Sequence, residues 1–358
     1  MISIIGGGPA GCYLGYLLAK DGRDVKIFEE HRKIGRPIQC TGLVTSSINN
    51  ILRLRKDVVV NEINKVKIFS KDDFLELRLK KKNLILDREK FDNSLADMAI
   101  DKGAKMFLNH KFIDNKRESI RFNHDGKKKV LKTDCLVGAD GPLSKVAKSN
   151  NIFGKRRFMT GVQAIVRLKN DNYIEFYPSI GTFAWVVPEN DEICKVGVAS
   201  YSNISSDFDN FLRLKGINEK DIIENQGGLI PLYNPNIRTQ KGNIYLLGDA
   251  ACQVKATTGG GIIQGLTAAG CLKESIVNKT DYGMMWKKEL GRELWLHIKI
   301  RNVLDRFKEN DWNFLVDLFN KERNRKIIEG FDRDNLSKFF LRLLFSEPRF
   351  LYFAKYIL

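Results

Sequence analysis

The stretch ISIIGGGPAGCYLGYLLAKDGRDVKIFEE, residues 2–30, contains an apolar strand, a glycine turn, an amphipathic helix and a second strand that ends in acidic residues. In this pattern Gly6 permits the tight turn, Gly8 lets a pyrophosphate approach the backbone, and Gly11 allows close packing of helix against strand. Glu29 follows Gly11 by eighteen residues, where an acid can accept hydrogen bonds from ribose hydroxyls. The stretch therefore predicts a βαβ unit that binds a dinucleotide.

The alternative for this stretch is a tight strand-to-helix turn without a ligand. A single glycine motif is weak evidence, but here strand, helix, second strand and terminal acid follow in order. The N-terminus of a helix binds phosphate readily, so the dinucleotide site needs little further assumption.

The composition indicates a soluble globular protein. The chain has 358 residues, of which 43% are hydrophobic and 29% charged, and it contains no apolar run long enough for a membrane span. The first strand begins almost at Met1, which leaves no room for a signal peptide, and we expect a cytoplasmic protein. The six cysteines and four histidines show neither a disulfide nor a metal-site spacing, so no metal is predicted.

The net charge of +17 favours anionic partners such as phosphates, acidic lipid surfaces or nucleic acid. Lysines cluster in RLKKKN, residues 78–83, and in DGKKKV, residues 125–130. We predict that both runs lie at solvated hairpin turns. No nucleic-acid motif accompanies them, and we expect no nucleic-acid partner.

Two later segments each end an apolar strand in a turn of small residues with an Asp: LVGADGPLSKVAK, residues 136–148, and NIYLLGDAACQ, residues 243–253. With the first glycine motif, these segments resemble the FAD flavoproteins of the para-hydroxybenzoate hydroxylase fold, and FAD is the cofactor that this resemblance implies. It also implies that Asp249 contacts the ribityl-phosphate part of FAD. The alternative role for Asp249 is a helix N-cap.

Four elements narrow the resemblance: KIGRPIQCTG, LDREKFDNSLADMAIDKGA, FAWVVP and GDAACQVKATTGGGI. Together, over about residues 1–280, they are similar to the geranylgeranyl reductase family, which saturates isoprenoid chains of archaeal lipids, chlorophyll precursors or quinones. The chain departs from the family in a few places. Cys252, for example, stands where the family usually has glycine.

The resemblance assigns FAD contacts to residues in each of these elements. Including the glycines of the first motif, the expected cofactor-binding residues are Gly6, Gly8, Ala10, Gly11, Glu29, Cys40, Thr41, Gly42, Arg88, Phe112, Asp249, Gly259, Gly260, Gly261 and Ile262. The glycines at 259–261 are expected to begin a helix whose amide groups face the flavin ring, where a helix N-terminus stabilises negative charge.

Cys40 is the expected catalytic side chain, because the matching cysteine of the family lies beside the flavin ring. Its thiol could donate a proton or shape the pocket. The alternative is a small apolar residue in a tight loop. Phe183, Trp185 and Pro188 are the expected substrate-binding residues. Phe183 and Trp185 could line a lipid groove or fill the core of a sheet.

The expected fold class is mixed α/β: a Rossmann-like FAD-binding domain, an inserted antiparallel-sheet substrate domain and a C-terminal helical region. The FAD-binding domain takes residues 1–65, 86–155 and 236–280. The substrate domain takes residues 66–85 and 156–235, and the helical region takes residues 281–358.

Near the C-terminus, Leu336, Phe339, Phe340, Leu343 and Leu344 lie at helical spacing. The segment could lie on an acidic membrane, which makes peripheral membrane contact a possibility, or it could cover a prenyl tunnel. The alternative is an ordinary pair of packed helices.

The resemblance implies a reductase that adds a hydride from reduced FAD and a proton across a double bond of a prenylated lipid or a prenyl diphosphate. No second glycine motif is present, so the expected electron donor is a transiently bound NAD(P)H or a ferredoxin. Two alternatives stay open: an FAD-dependent monooxygenase of the same fold, and a lipid-binding protein with structural FAD.

Overall fold

The computed structural model describes residues 1–330, 334 and 336–356, without the side chains of residues 338–341. Strands and helices alternate through the first half of this part of the chain, and helices dominate after residue 262. The strands are β1 Ile2–Ile5, β2 Val25–Phe28, β3 Leu43–Thr45, β4 Val59–Phe69, β5 Phe74–Leu86, β6 Lys105–Phe107, β7 Lys111–Lys116, β8 Ser119–His124, β9 Lys127–Lys132, β10 Cys135–Gly138, β11 Phe158–Arg167, β12 Ile174–Tyr177, β13 Phe183–Pro188, β14 Ile193–Ser200, β15 Ile222–Pro231, β16 Gln240–Lys241 and β17 Ile244–Leu246.

Helices follow the strands or close the chain. They are α1 Pro9–Lys20, α2 Arg88–Asp101, α3 Lys145–Ser149, α4 Ile204–Leu214, α5 Ile262–Asn278, α6 Tyr282–Trp286, α7 Arg292–Leu304, α8 Glu309–Asn320, α9 Glu322–Glu329 and α10 Leu336–Ser346.

The first sheet has the order β16-β17-β10-β1-β2-β6 among the described strands, and its strands run parallel except for the pair β16 and β17. Strand β1 is buried along its whole length because helices cover the sheet. The βαβ unit predicted from residues 2–30 is confirmed as β1, α1 and β2. Helix α1 begins at Pro9, whose missing amide hydrogen and fixed φ suit the first helical position.

The second sheet has the order β15-β11-β14-β13-β12-β4-β5-β3. The expected ribbon over residues 66–87 is confirmed by the antiparallel pair β4 and β5. One pair, β12 and β4, runs parallel, so the sheet is not wholly antiparallel as expected. The sheet also includes β3 and residues 59–65, which the sequence analysis assigned to the FAD-binding part. The division into domains stays a prediction.

Of the two lysine runs, the second lies at a hairpin turn as predicted, and the first does not. Residues 78–83 lie inside β5, and the turn that joins it to β4 is formed by residues 70–73. In the second run only Asp125 and Gly126 form the turn, and the lysines belong to β9 of a separate three-stranded sheet, β7-β8-β9. Lysine occurs on exposed strand faces as well as in turns, so charge alone did not locate the turns.

The C-terminal part is helical from Tyr282 onward, as expected. Helices α8 and α9 pack against β5, and Val316 and Ile328 are buried with Leu75 and Leu77 of that strand. Helix α10 confirms the helical spacing of the predicted tail, but the side chains of Phe339 and Phe340 lie outside the described residues.

Helix length limits how the chain can meet a lipid bilayer. Within the part of the chain that the structure describes, no helix is long and apolar enough to cross a membrane.

We predict that Gly6→Ala destabilises the protein by about 2 to 4 kcal/mol. Gly6 has φ +109°, and a Cβ there would lie 2.2 Å from the carbonyl oxygen of Ala139. Gly8→Ala is the matched control, because a Cβ at Gly8 would meet no atom within 4 Å. Urea unfolding of the FAD-free protein should give Gly8→Ala a stability near that of the wild type. Equal losses for the two variants would contradict this account of the turn.

Candidate functional site

A single cavity of about 1110 Å³ runs from the glycine turn of β1 to the second sheet. It opens at the carboxyl ends of the parallel strands, where open α/β sheets bind their ligands. A small-molecule site usually has a volume of about 300–1,000 Å³. The cavity is therefore large enough for a dinucleotide and part of a second ligand.

The glycine turn forms one end of the cavity. Gly6, Gly8 and Ala10 line it, and the empty space in front of Gly8 would let a phosphate approach the backbone. Gly11 does not line the cavity. A Cβ there would lie 2.2 Å from the carbonyl oxygen of Gly6, so Gly11 serves the close packing of α1. The predicted contact of Gly11 with the cofactor stays a prediction, and the position of Gly11 behind the cavity wall does not support it.

Glu29 lies on the cavity wall at the end of β2. Its Oε2 accepts a hydrogen bond from the Gly7 amide at 2.7 Å, and its Oε1 accepts one from the His31 amide at 2.9 Å. A carboxylate oxygen can accept more than one hydrogen bond, so Glu29 can also receive a ribose hydroxyl. Phe112 lines the same end, packed against Phe122.

The loop of residues 36–42 crosses the middle of the cavity. Cys40 and Thr41 line the wall, and the Gly42 amide donates to Cys40 Sγ at 3.4 Å. Gly42 itself lies behind the wall, where its φ of +77° and the nearby carbonyl oxygen of Leu86 leave no room for a side chain. Gly42 therefore shapes the loop, and a contact with the cofactor stays a prediction.

A buried lysine of the second sheet holds this loop. Lys195 Nζ donates to the carbonyl oxygen of Thr41 at 3.0 Å and pairs with Glu189 at 2.8 Å. Only 3% of Lys195 is exposed, so these two partners supply the hydrogen bonds of an ammonium group that water barely reaches. The contact joins the Cys40 loop directly to strand β14.

Arg88, the first residue of α2, lines the cavity below the same loop. Its Nε and Nη2 donate to the two carboxylate oxygens of Asp92 at 3.1 and 2.9 Å. Burial alone lowers the pKa of Arg88, but Asp92 and a hydrogen bond with Cys40 raise it above its ordinary value. A permanently charged guanidinium therefore faces the cavity beside the thiol.

The segment of residues 248–262 forms the opposite wall. Asp249, Gly259, Gly260, Gly261 and Ile262 all line the cavity. Helix α5 begins at Ile262, as predicted, and no side chain caps its first amides. These amide groups and the helix dipole favour a negative charge in the cavity.

Asp249 faces the cavity and is partly buried. Burial raises the pKa of its carboxyl to about 6, although the positive charge of Arg88 acts in the opposite direction. Cys252, three residues later, has φ +56°, the left-handed conformation that glycine adopts most easily. Glycine, which the resemblance implies at this position, would adopt this conformation without strain.

The second sheet supplies the apolar part of the cavity. Phe183 and Trp185 line it, whereas Pro188 is buried at the end of β13 and does not. A substrate contact of Pro188 is therefore not supported. Further apolar lining comes from β4, β5, β12, α8 and α9: Val66, Ile68, Leu77, Leu79, Ile174, Phe319 and Ile328.

Several residues near the site were not predicted from the sequence. Asp92 follows Arg88 by four residues, a spacing that could have indicated the ion pair. Lys195 stands alone in an apolar strand, which is also a usable signal. Gln163 and Lys255 line the cavity without any signal in the local sequence.

These features fit a flavin dinucleotide. Two helices, α1 and α5, direct uncapped N-termini at the same cavity, and Arg88 supplies a fixed positive charge. The glycine turn leaves space where a pyrophosphate would lie.

Comparisons with known proteins agree with this geometry. Residues 4–41 match the model of an NAD(P)-binding Rossmann-like domain. The chain is 25% identical over 391 residues to a digeranylgeranylglycerophospholipid reductase of Methanocaldococcus jannaschii, covering 100% of this chain and 98% of the relative.

Solved structures share the fold. A geranylgeranyl bacteriochlorophyll reductase-like protein from Thermoplasma acidophilum superposes with a TM-score of 0.84 at 19% identity, covering 100% of this chain and 98% of that chain. The flavin-dependent halogenase CmlS gives a TM-score of 0.70 at 16% identity, with coverage of 98% and 78%.

These similarities confirm four predictions from the sequence: the resemblance to the geranylgeranyl reductases, the fold class, FAD as the cofactor, and an oxidoreductase. The individual site residues stay predictions.

We predict that Asp249→Asn stabilises the FAD-free protein near neutral pH. Because the pKa of Asp249 is raised to about 6 in the folded state, folding favours its protonated form, and stability falls as the pH rises from about 4 to 6. The variant should therefore be more stable by about 1 to 3 kcal/mol above pH 6 and equal to wild type below about pH 4. Urea unfolding across this pH range measures the difference, and a constant difference at every pH would contradict it.

Proposed function

We propose that the protein is an FAD-dependent reductase that saturates carbon–carbon double bonds of prenyl chains, such as geranylgeranyl chains, in membrane-lipid biosynthesis. The observation that carries this proposal is the continuity of the cavity. One wall has the glycine turn and helix N-termini that suit a dinucleotide, and the same cavity continues over an apolar sheet face.

The apolar part suits a long, extended chain better than a compact ligand. It extends from Trp185 across the strands to Phe319 and Ile328 on the C-terminal helices. A prenyl chain buried there would gain about 25 cal/mol for each Å² of apolar surface removed from water.

The residues proposed to hold FAD lie along the dinucleotide part of the cavity. They are Gly6, Gly8, Ala10, Glu29, Cys40, Thr41, Arg88, Phe112, Asp249, Gly259, Gly260, Gly261 and Ile262. When bound and reduced, FAD supplies a hydride. Trp185 and Phe183 exclude water from the place where the prenyl chain would lie, and they orient the chain.

Cys40 is the proposed proton donor. It lies on the wall between the dinucleotide part of the cavity and the apolar part. The Gly42 amide donates to its sulfur, Arg88 lines the cavity beside it, and Lys195 holds the next residue. A thiol held in this way can give its proton to one carbon of the double bond.

The proposed electron donor is a transiently bound NAD(P)H or a ferredoxin. The net charge of +17 would attract an acidic carrier protein at low ionic strength.

We also propose peripheral contact with a membrane surface. Phe345 and Leu351 are 84% and 60% exposed in the C-terminal part. The neighbouring basic side chains Arg342 and Arg349 are exposed as well, a combination that favours an anionic lipid surface.

The direct test is mass spectrometry of a digeranylgeranyl glycerophospholipid after anaerobic incubation with the protein and dithionite. A boiled sample is the control. We expect a gain of two hydrogens for each bond reduced. An unchanged lipid beside fully reduced flavin would exclude this substrate.

The monooxygenase alternative makes a different prediction. It requires NAD(P)H oxidation that consumes oxygen and depends on an aromatic or polyene substrate. An oxygen electrode therefore separates it from the proposed reductase.

We predict that Cys40→Ala lowers the rate of prenyl reduction by about 10²-fold or more, the usual contribution of a positioned acid. FAD binding should be retained, because most of the proposed contacts remain. Cys271→Ala is the matched control, since Cys271 is half-buried on α5 and does not line the cavity. Single-turnover kinetics with pre-reduced protein measures both rates. Similar rates for the two variants would show that Cys40 is not the proton donor.

A further inference from the structure

The loop of residues 36–42 is tied to the second sheet at both of its ends. At one end Thr41 Oγ1 donates to Gln163 Oε1 at 2.8 Å, and at the other Arg36 Nη1 donates to Glu224 Oε1 at 2.9 Å. Gln163 lies on β11 and Glu224 on the neighbouring strand β15. Cys40 is therefore held between two anchors on adjacent strands.

A third side chain connects these anchors. Gln226 Oε1 accepts from Gln163 Nε2 at 2.6 Å, and Gln226 Nε2 donates to Glu224 Oε1 at 3.1 Å. The side chains of Gln163, Gln226 and Glu224 thus form one hydrogen-bonded chain that runs beneath the loop from Thr41 to Arg36.

The groups at the two ends fix the direction of this chain. Trp185 Nε1, which can only donate, gives its hydrogen to Gln163 Oε1 at 3.3 Å. The carboxylate of Glu224 can only accept. Each glutamine between them must therefore point its amide oxygen toward Trp185 and its amide nitrogen toward Glu224. A 180° flip of either amide would place two acceptor oxygens face to face.

Both glutamines are buried, so a lost hydrogen bond in this chain would be costly. Gln163 and Gln226 are only 5% and 6% exposed. A buried amide group that loses its partner costs about 1 to 3 kcal/mol. Gln163 also lines the cavity, where its oxygen accepts hydrogen bonds from both Thr41 of the Cys40 loop and Trp185.

We propose that Gln163 is a positioning residue that holds the Cys40 loop at a fixed position relative to Trp185 on the apolar wall of the cavity. It sets the distance between the thiol and a ligand in the apolar part of the cavity. The effect of this distance on turnover rests on the proposed function. The position of the loop does not depend on which reaction the protein catalyses.

The test uses Gln163→Glu, which keeps the shape and removes the donor to Gln226. At about pH 8 the new carboxylate can still accept from Thr41 and Trp185, but it faces the oxygen of Gln226, and this repulsion displaces the side chain and weakens the anchor of the loop. At about pH 5.5 a buried carboxyl can take up a proton and donate as the amide did. The charged groups around it are Glu224, Arg36 and Lys195, and none of them supplies the missing donor to Gln226.

The readout is alkylation of Cys40 by iodoacetamide, followed by peptide mass spectrometry and expressed relative to wild type at the same pH. It is made on the FAD-bound protein without substrate. We expect a rise of about tenfold at the higher pH and a return toward wild type at the lower pH. An unchanged rate at both pH values would overturn the proposal.

A second substitution should restore the anchor. When Glu224→Gln is added to Gln163→Glu, Gln226 can turn over, donate to the new carboxylate and accept from the amide at position 224. We expect Cys40 protection to return toward wild type at about pH 8. Glu224→Gln alone is the control and should stay near wild type, because one oxygen can accept from both Arg36 and Gln226. A double variant as reactive as Gln163→Glu would contradict the directed chain.

Thr41 gives an independent test if Gln163→Glu does not fold. Thr41→Val removes the hydroxyl donor to Gln163 and should expose Cys40, whereas Thr41→Ser keeps it and should not. Equal alkylation in both variants would overturn the proposal. If wild-type protein reduces no prenyl lipid but the alkylation pattern holds, the proposed function fails and the positioning role stands.

Discussion

The contact of Lys195 with the carbonyl oxygen of Thr41 joins the second sheet to the loop that carries Cys40, where the two parts of the cavity meet. It is a buried charge 3.0 Å from the loop that carries Cys40, while Arg88 approaches the same loop from the side of the first sheet. The dinucleotide part and the apolar part of the cavity meet at this loop.

The chemistry that the site allows depends on the contact between the dinucleotide part and the apolar part of the cavity. The uncapped N-terminus of α5 and the charge of Arg88 favour an electron-rich group in the cavity. The apolar wall near Trp185 provides the low-dielectric surroundings in which such charges act most strongly. The fold alone would fit many flavin reactions, and the resemblance to prenyl reductases agrees with this particular combination of walls.

Local features could be predicted from the sequence because their cause is local. The turn at Gly6, the start of α5 after Gly261 and the pairing of β4 with β5 follow from residue type and periodicity. The hydrogen-bonded chain of Gln163 could not be predicted, because its partners lie 63 and 122 residues away in sequence. The prediction of a turn at residues 78–83 was wrong, because a charged run on an exposed strand has the same composition as a turn.

The most direct measurement of the central claim, that one cavity brings flavin and prenyl chain together, is anaerobic stopped-flow absorbance of the pre-reduced protein. The reduced flavin is mixed with an unsaturated prenyl lipid, and the fully saturated lipid is the control. The account predicts that only the unsaturated lipid reoxidises the flavin. A flavin that stays reduced with both lipids would contradict the claim and favour a lipid-binding protein with structural FAD.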